Sequence, residues 1–109
     1  MSTATVNYSG ADQRAAPRTD VYARVPMTLP DGRGAIVTLV NISADGVLAR
    51  HEHRLEEGDM VQLSMPVIGK VSGRAVWSIG GRTGVQFTSR IPDRDYAPLL
   101  RAFGVKSPA

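Results

Sequence analysis

The chain has 109 residues, enough for one domain with a modest core and too few for two. Hydrophobic residues make up 42% and charged residues 21%, a balance that argues against wholesale disorder, and the absence of cysteine removes disulfides and thiolate metal sites. The net charge is +3, and eleven of the thirteen basic residues are arginine, the side chain best shaped to fork onto a phosphate or a guanine edge.

Residues 1–13, MSTATVNYSGADQ, are small and polar and read as a flexible arm. They lack the basic start and apolar run of a secretory signal. No stretch approaches the roughly 20 apolar residues of a membrane-spanning helix, so a soluble, cytoplasmic protein without membrane insertion is expected. Two arginines, Arg14 and Arg18, follow in RAAPR, with no nearby acid spaced to neutralise both.

From Val21 the pattern becomes short apolar runs separated by turn residues. VYARVPMTL (21–29) places Val21, Ala23, Val25, Met27 and Leu29 on one face, the period of a half-buried strand. PDGRG (30–34) reads as a turn, AIVTLVN (35–41) as a strand, ADG as a turn and VLARHEH (47–53) as a third strand. LEEGD (55–59) turns the chain into MVQLSM, and VIGKVSG turns it again. GRAVWSI (73–79), the hairpin loop GGRTG and VQFTS (85–89) end the series.

Short strands at spacings of about ten residues, with no helix for a parallel crossover, predict a small all-β antiparallel barrel or sandwich. The tail changes period. Tyr96, Leu99, Leu100 and Phe103 form one helical stripe, with Asp95 as N-cap, Pro98 harmless in the first turn, and Gly104 as the stop. The helix is expected to lie against an edge or mouth of the barrel, and the domain to run over 14–104 with a short tail at 105–109.

Signals for catalysis are weak, and an enzyme is not expected. His51 and His53 in HEH would share one strand face, a geometry that offers two metal ligands. No third ligand is suggested nearby, so a solvated face is the simpler reading. Ser43 and Asp45 lie in one tight turn and cannot assemble a triad. GGRTG lacks the lysine and following helix of a P-loop. Single-stranded nucleic-acid binding usually needs aromatic platforms on a basic sheet, and Trp77 and Phe87 here follow the alternation of a core.

NISADG (41–46) joins two strands tightly. Gly46 suits a backbone with φ > 0, and Asn41 and Ser43, two residues apart, would point to one side if the strand continues that far. Taken alone, the hexapeptide is an Asx- or Ser-stabilised turn.

Arg14-x-x-x-Arg18 before the first strand, followed by Asn41-x-Ser43-x-x-Gly46 at the second hairpin, resembles the PilZ domain, a bacterial receptor module for cyclic di-GMP. The likeness runs from about residue 13 to 103 and includes Val76–Trp77 and the stretch Gly84 to Phe87, similar to that family's final strands and packing glycine. The resemblance implies a six-stranded split barrel and no cofactor beyond the ligand. It implies that Arg14 and Arg18 clamp cyclic di-GMP, with Asn41 and Ser43 bonding its polar atoms and Gly46 letting the backbone approach. Trp77 would flank the ligand or pack in the core or at its rim, and Asp45 would be a turn residue.

Gln13 stands where many members carry a further arginine, which leaves one bound ligand or an intercalated pair open. The implied output is an ordered arm read by an effector protein in control of motility, exopolysaccharide or adhesion. The alternative is a PilZ-like adaptor that binds protein only.

Overall fold

The computed structural model describes residues 17–105, so Arg14 and residues 1–13 fall outside it. Six antiparallel strands close into a barrel in the order β1-β2-β3-β6-β5-β4: β1 (Thr19–Thr28), β2 (Gly34–Ile42), β3 (Gly46–Arg50), β4 (Met60–Met65), β5 (Gly69–Ile79) and β6 (Arg82–Phe87). A single helix, α1 (Asp93–Ala102), follows. The first three strands form a meander, and residues 51–59 then carry the chain across to β4, which closes on β1. The β5–β6 hairpin returns to pair β6 with β3.

The period-2 alternation builds the core. Val25, Met27, Val37, Leu39, Leu63 and Val85 point inward and are almost wholly buried. Each such side chain contributes about 1.5–3 kcal/mol by leaving water. Thr83 is also inside, where its hydroxyl is satisfied by Ser78 Oγ at 2.8 Å and His51 Nε2 at 2.6 Å.

The barrel and the C-terminal helix are as the sequence predicts, and four local readings are corrected. VLARHEH is a strand only to Arg50. At His51 the chain bends, its amide bonding to Gly81 O at 2.9 Å, and the His53 amide bonds back to His51 Nδ1 at 3.2 Å. His51 and His53 therefore do not share a strand face.

VIGKVSG is a turn only to its second residue, since β5 begins at Gly69. Gly73 sits inside that strand because a Cβ there would press on the Val85 side chain at 2.5 Å and the Gln86 carbonyl at 2.9 Å. The GGRTG loop shrinks to Gly80–Gly81, both with positive φ, the two-residue hairpin that matches strand twist.

In the helix, Pro92 is the N-cap and Asp95 lies within the first turn, where with Asp93 it complements the helix dipole. Pro98 is the sixth helical residue, so one intrahelical bond to the carbonyl four residues earlier is lost.

The stripe Tyr96, Leu99, Leu100 and Phe103 packs on the barrel core, with Leu99 fully buried. Gly104, at φ +87°, ends the helix: its amide reaches Arg101 O at 2.9 Å, and the Val105 amide reaches Leu100 O at 3.0 Å. This is the paired bonding of a Schellman stop. The Tyr96 hydroxyl donates to Ile42 O at 3.2 Å, fixing the helix to the end of β2.

Candidate functional site

The β2–β3 connection is braced from inside and outside the turn. The Ser43 amide donates to Gly46 O at 2.8 Å, and the Ser43 hydroxyl accepts from the amides of Asp45 at 3.1 Å and Gly46 at 3.2 Å. Ser43 is 3% exposed. Its hydroxyl therefore spends both lone pairs inside its own turn.

From outside, the Phe87 amide donates to Asp45 O and the Ile91 amide to Ala44 O, at 2.8 and 2.9 Å. Arg90 grips both carboxylate oxygens of Asp45 at 3.0 and 3.1 Å. The turn is thus stapled to the segment that leads into α1.

Gly46 serves a different end from the one its turn position suggests. Its φ is not positive. A Cβ at this residue would overlap the Val85 carbonyl oxygen of β6, so glycine is required for β3 to approach β6. The backbone that comes close to Gly46 is the protein's own.

Asn41 and Ser43 do not share a face. The ladder slips by one residue between Leu39 and Asn41, a bulge at Val40, so Leu39 and Ile42 both point into the core. Asn41 is turned to the outer surface, while Ser43 lies beyond the strand end and folds inward. On that outer surface the Arg18 Nη1 donates to Asn41 Oδ1 at 2.6 Å. Arg18 thus has a protein partner, where the sequence suggests none.

A second bulge, between Ala75 and Trp77, has the same effect in β5. Ala75 is buried, yet Trp77 faces outward and is 41% exposed, contrary to the core alternation read from the sequence. Its indole lies directly over Gly84, where any Cβ would overlap Nε1. Gly84 is the packing glycine.

Register aligns these residues. Asp20 pairs with Asn41, Asn41 with Leu48, Leu48 with Gly84, and Gly84 with Trp77. One lateral row on the barrel's outside therefore carries an arginine-bonded carboxamide at one end and an indole at the other, about 14 Å apart across three strand spacings.

The PilZ domain model matches residues 12–103. The chain belongs to the PilZ family. No curated protein matches it. PilZ domains are binding and adaptor domains rather than catalytic ones, and the family is associated with cyclic di-GMP as ligand and with effector interaction. Among the described residues no helix is long and apolar enough to cross a membrane, and no three His, Asp or Glu side chains converge as metal ligands.

Of the PilZ motif residues, the structure brings Arg18 and Asn41 into contact and sets Ser43 and Gly46 as the frame beneath them. Arg14 lies outside the described residues. Sequence reasoning missed Arg90, Tyr96 as a helix clamp, and Leu48 as the floor between Asn41 and Gly84. The Arg90–Asp45 pair spans 45 residues, a separation that leaves no local signal.

Proposed function

We propose that this PilZ domain binds cyclic di-GMP on the outer row that runs from Asn41 to Trp77, and passes the messenger's level to a partner protein in control of motility, exopolysaccharide or adhesion. The observation that carries the reading is the Arg18–Asn41 contact at the head of that row. It sets a guanidinium, able to fork onto phosphate or onto guanine O6 and N7, beside a carboxamide, on a surface that ends in an exposed indole. Ser43 and Gly46 act beneath the ligand, holding the turn and the β3–β6 approach that aim Asn41. Arg14 supplies the second cation of the clamp.

Isothermal titration with cyclic di-GMP tests this. Saturable binding is expected, selective over GMP, and weakened about tenfold or more in Arg14→Ala, Arg18→Ala and Asn41→Ala, as loss of one charge-assisted bond of about 1.5–3 kcal/mol requires. The stoichiometry answers the question raised by Gln13.

A second reading, a protein-only adaptor, draws on the fact that Arg18 and Asn41 already satisfy one another. Absence of heat at about 100 µM ligand, where a Kd of about 1 µM would saturate, favours the adaptor and sinks the receptor.

A further inference from the structure

One row of side chains beyond Asn41 and Leu48, the outer face of the barrel changes character. Register aligns Arg24 with Thr38, Thr38 with Arg50, Arg50 with Arg82, and Arg82 with Ile79. Three arginines thus lie on one lateral strip crossing β1, β2, β3 and β6. Arg50 and Arg82 are direct cross-strand partners, an arrangement of like charges that destabilises a sheet. The arginine hydrogen bonds and ion pairs among the described residues belong to Arg18, Arg33 and Arg90, so none of these three guanidiniums is neutralised there.

The strip is the floor of an open groove of about 910 Å³, walled on one side by the bend at His51–His53 and the β5–β6 hairpin. Among the described residues, Glu52 is the one carboxylate in its lining. Exposed apolar side chains stand at its ends: Ile79 at 74% on β5, and Tyr22 at 76% with Ile36 at 52% on β1 and β2.

These features select among anionic partners. A small phosphate could engage the adjacent Arg50–Arg82 pair but would leave Arg24, two strands away, unused. A nucleotide wants aromatic platforms, and two of the three exposed apolar side chains are aliphatic. The floor of the groove presents guanidiniums and apolar side chains, so recognition there runs through side chains. A polypeptide offers carboxylates along its length and apolar anchors at either end.

We propose that the groove is a protein-docking surface for an extended acidic segment whose central carboxylates meet Arg24, Arg50 and Arg82 and whose flanking apolar side chains meet Ile79 on one side and Tyr22 and Ile36 on the other. From β1 to β5 is four strand spacings, about 19 Å, the reach of about six extended residues. The surface is contiguous with the nucleotide row but does not depend on it.

The test is selection from a randomised dodecapeptide phage library on the wild-type protein without nucleotide, with Arg50→Glu and Arg82→Glu as counter-targets. The expected winners carry two or more Asp or Glu between apolar residues. They bind at least about tenfold more weakly to either counter-target, as loss of a buried charge contact requires. Arg82→Gln, which keeps the size without reversing charge, should lie between, and Arg18→Ala should bind like wild type even if the cyclic di-GMP reading fails. Winners without acidic residues, winners that bind the Glu variants equally, or no enrichment would overturn the proposal. So would inorganic pyrophosphate shifting the amide signals of Arg50 and Arg82 while peptides leave them unmoved, which would make the strip a phosphate site.

Discussion

Replacing Ser43 by alanine separates a residue that builds the site from one that touches ligand. The hydroxyl accepts two backbone amides, at 3.1 and 3.2 Å, the long end of the usual range. Each such bond is worth about 1 kcal/mol net, and the Gly46 amide, in a buried residue, would be left with an unmet donor costing about 1–3 kcal/mol. The Asp45 amide is only partly buried and can turn to water. The sum is about 2–4 kcal/mol, a large share of the roughly 5–15 kcal/mol by which such domains are stable.

The assay is urea unfolding followed by Trp77 fluorescence. The midpoint should fall with the slope unchanged, and the melting temperature should drop by about 10–20 °C. A loss below about 0.5 kcal/mol would refute the assignment of the hydroxyl to the turn. Intact stability together with lost cyclic di-GMP binding would instead make Ser43 a direct ligand contact.

Gly46→Ala should cost more, about 3 kcal/mol or higher, because its Cβ meets the Val85 carbonyl of a paired strand rather than a movable side chain. A thermal melt equal to wild type would show that β3 and β6 can part cheaply. His51 supplies a pH dependence. Burial, the largest influence, lowers its pKa, with the adjacent His53 charge acting in the same direction and the His53 amide opposing. Below about pH 6.5 the unfolded chain therefore takes up a proton that the folded one resists, so stability is full above that pH and is lost as pH falls through the lowered folded value. The melting temperature should decline from pH 7 to pH 5, and His51→Asn should flatten that decline. An unchanged slope in the variant would place the dependence elsewhere.

Periodic features were legible in the sequence. The alternation of Val25, Met27 and Leu29 and the stripe of Tyr96, Leu99, Leu100 and Phe103 repeat often enough to outvote local exceptions, and both define the core observed. The resemblance implied that Arg18 and Asn41 come together, although neither their direct bond nor the side of the sheet Asn41 occupies was legible. That depends on the Val40 bulge, where one extra residue reverses the face of everything after it, and Trp77 is misread for the same reason. Composition reads Gly46 and Gly73 as turn glycines, while the packing role of Gly84 comes from the family resemblance. Gly46, Gly73 and Gly84 are glycine because another part of the chain occupies the space of a Cβ, a fact held in the partner strand or indole and not in their own neighbours. Arg90 and Asp45 meet only after β6 has folded beside β3.

The closing seam of the barrel has a consequence for how the molecule opens. β1 is paired with β2 along most of its length but with β4 through only two residue pairs, Met27 with Leu63 and Thr28 with Gln62. Those pairs sit at the end of β1 opposite Arg18, and two pairs hold this seam where five hold β3 to β6. Transient opening should start at this seam and unroll the barrel into a curved sheet, with β1 still zipped to β2 and the Arg18–Asn41 contact undisturbed. Amide exchange should then be fast across β1–β4 and slow across β3–β6, so that the proposed nucleotide row rides on the part of the protein that lets go last.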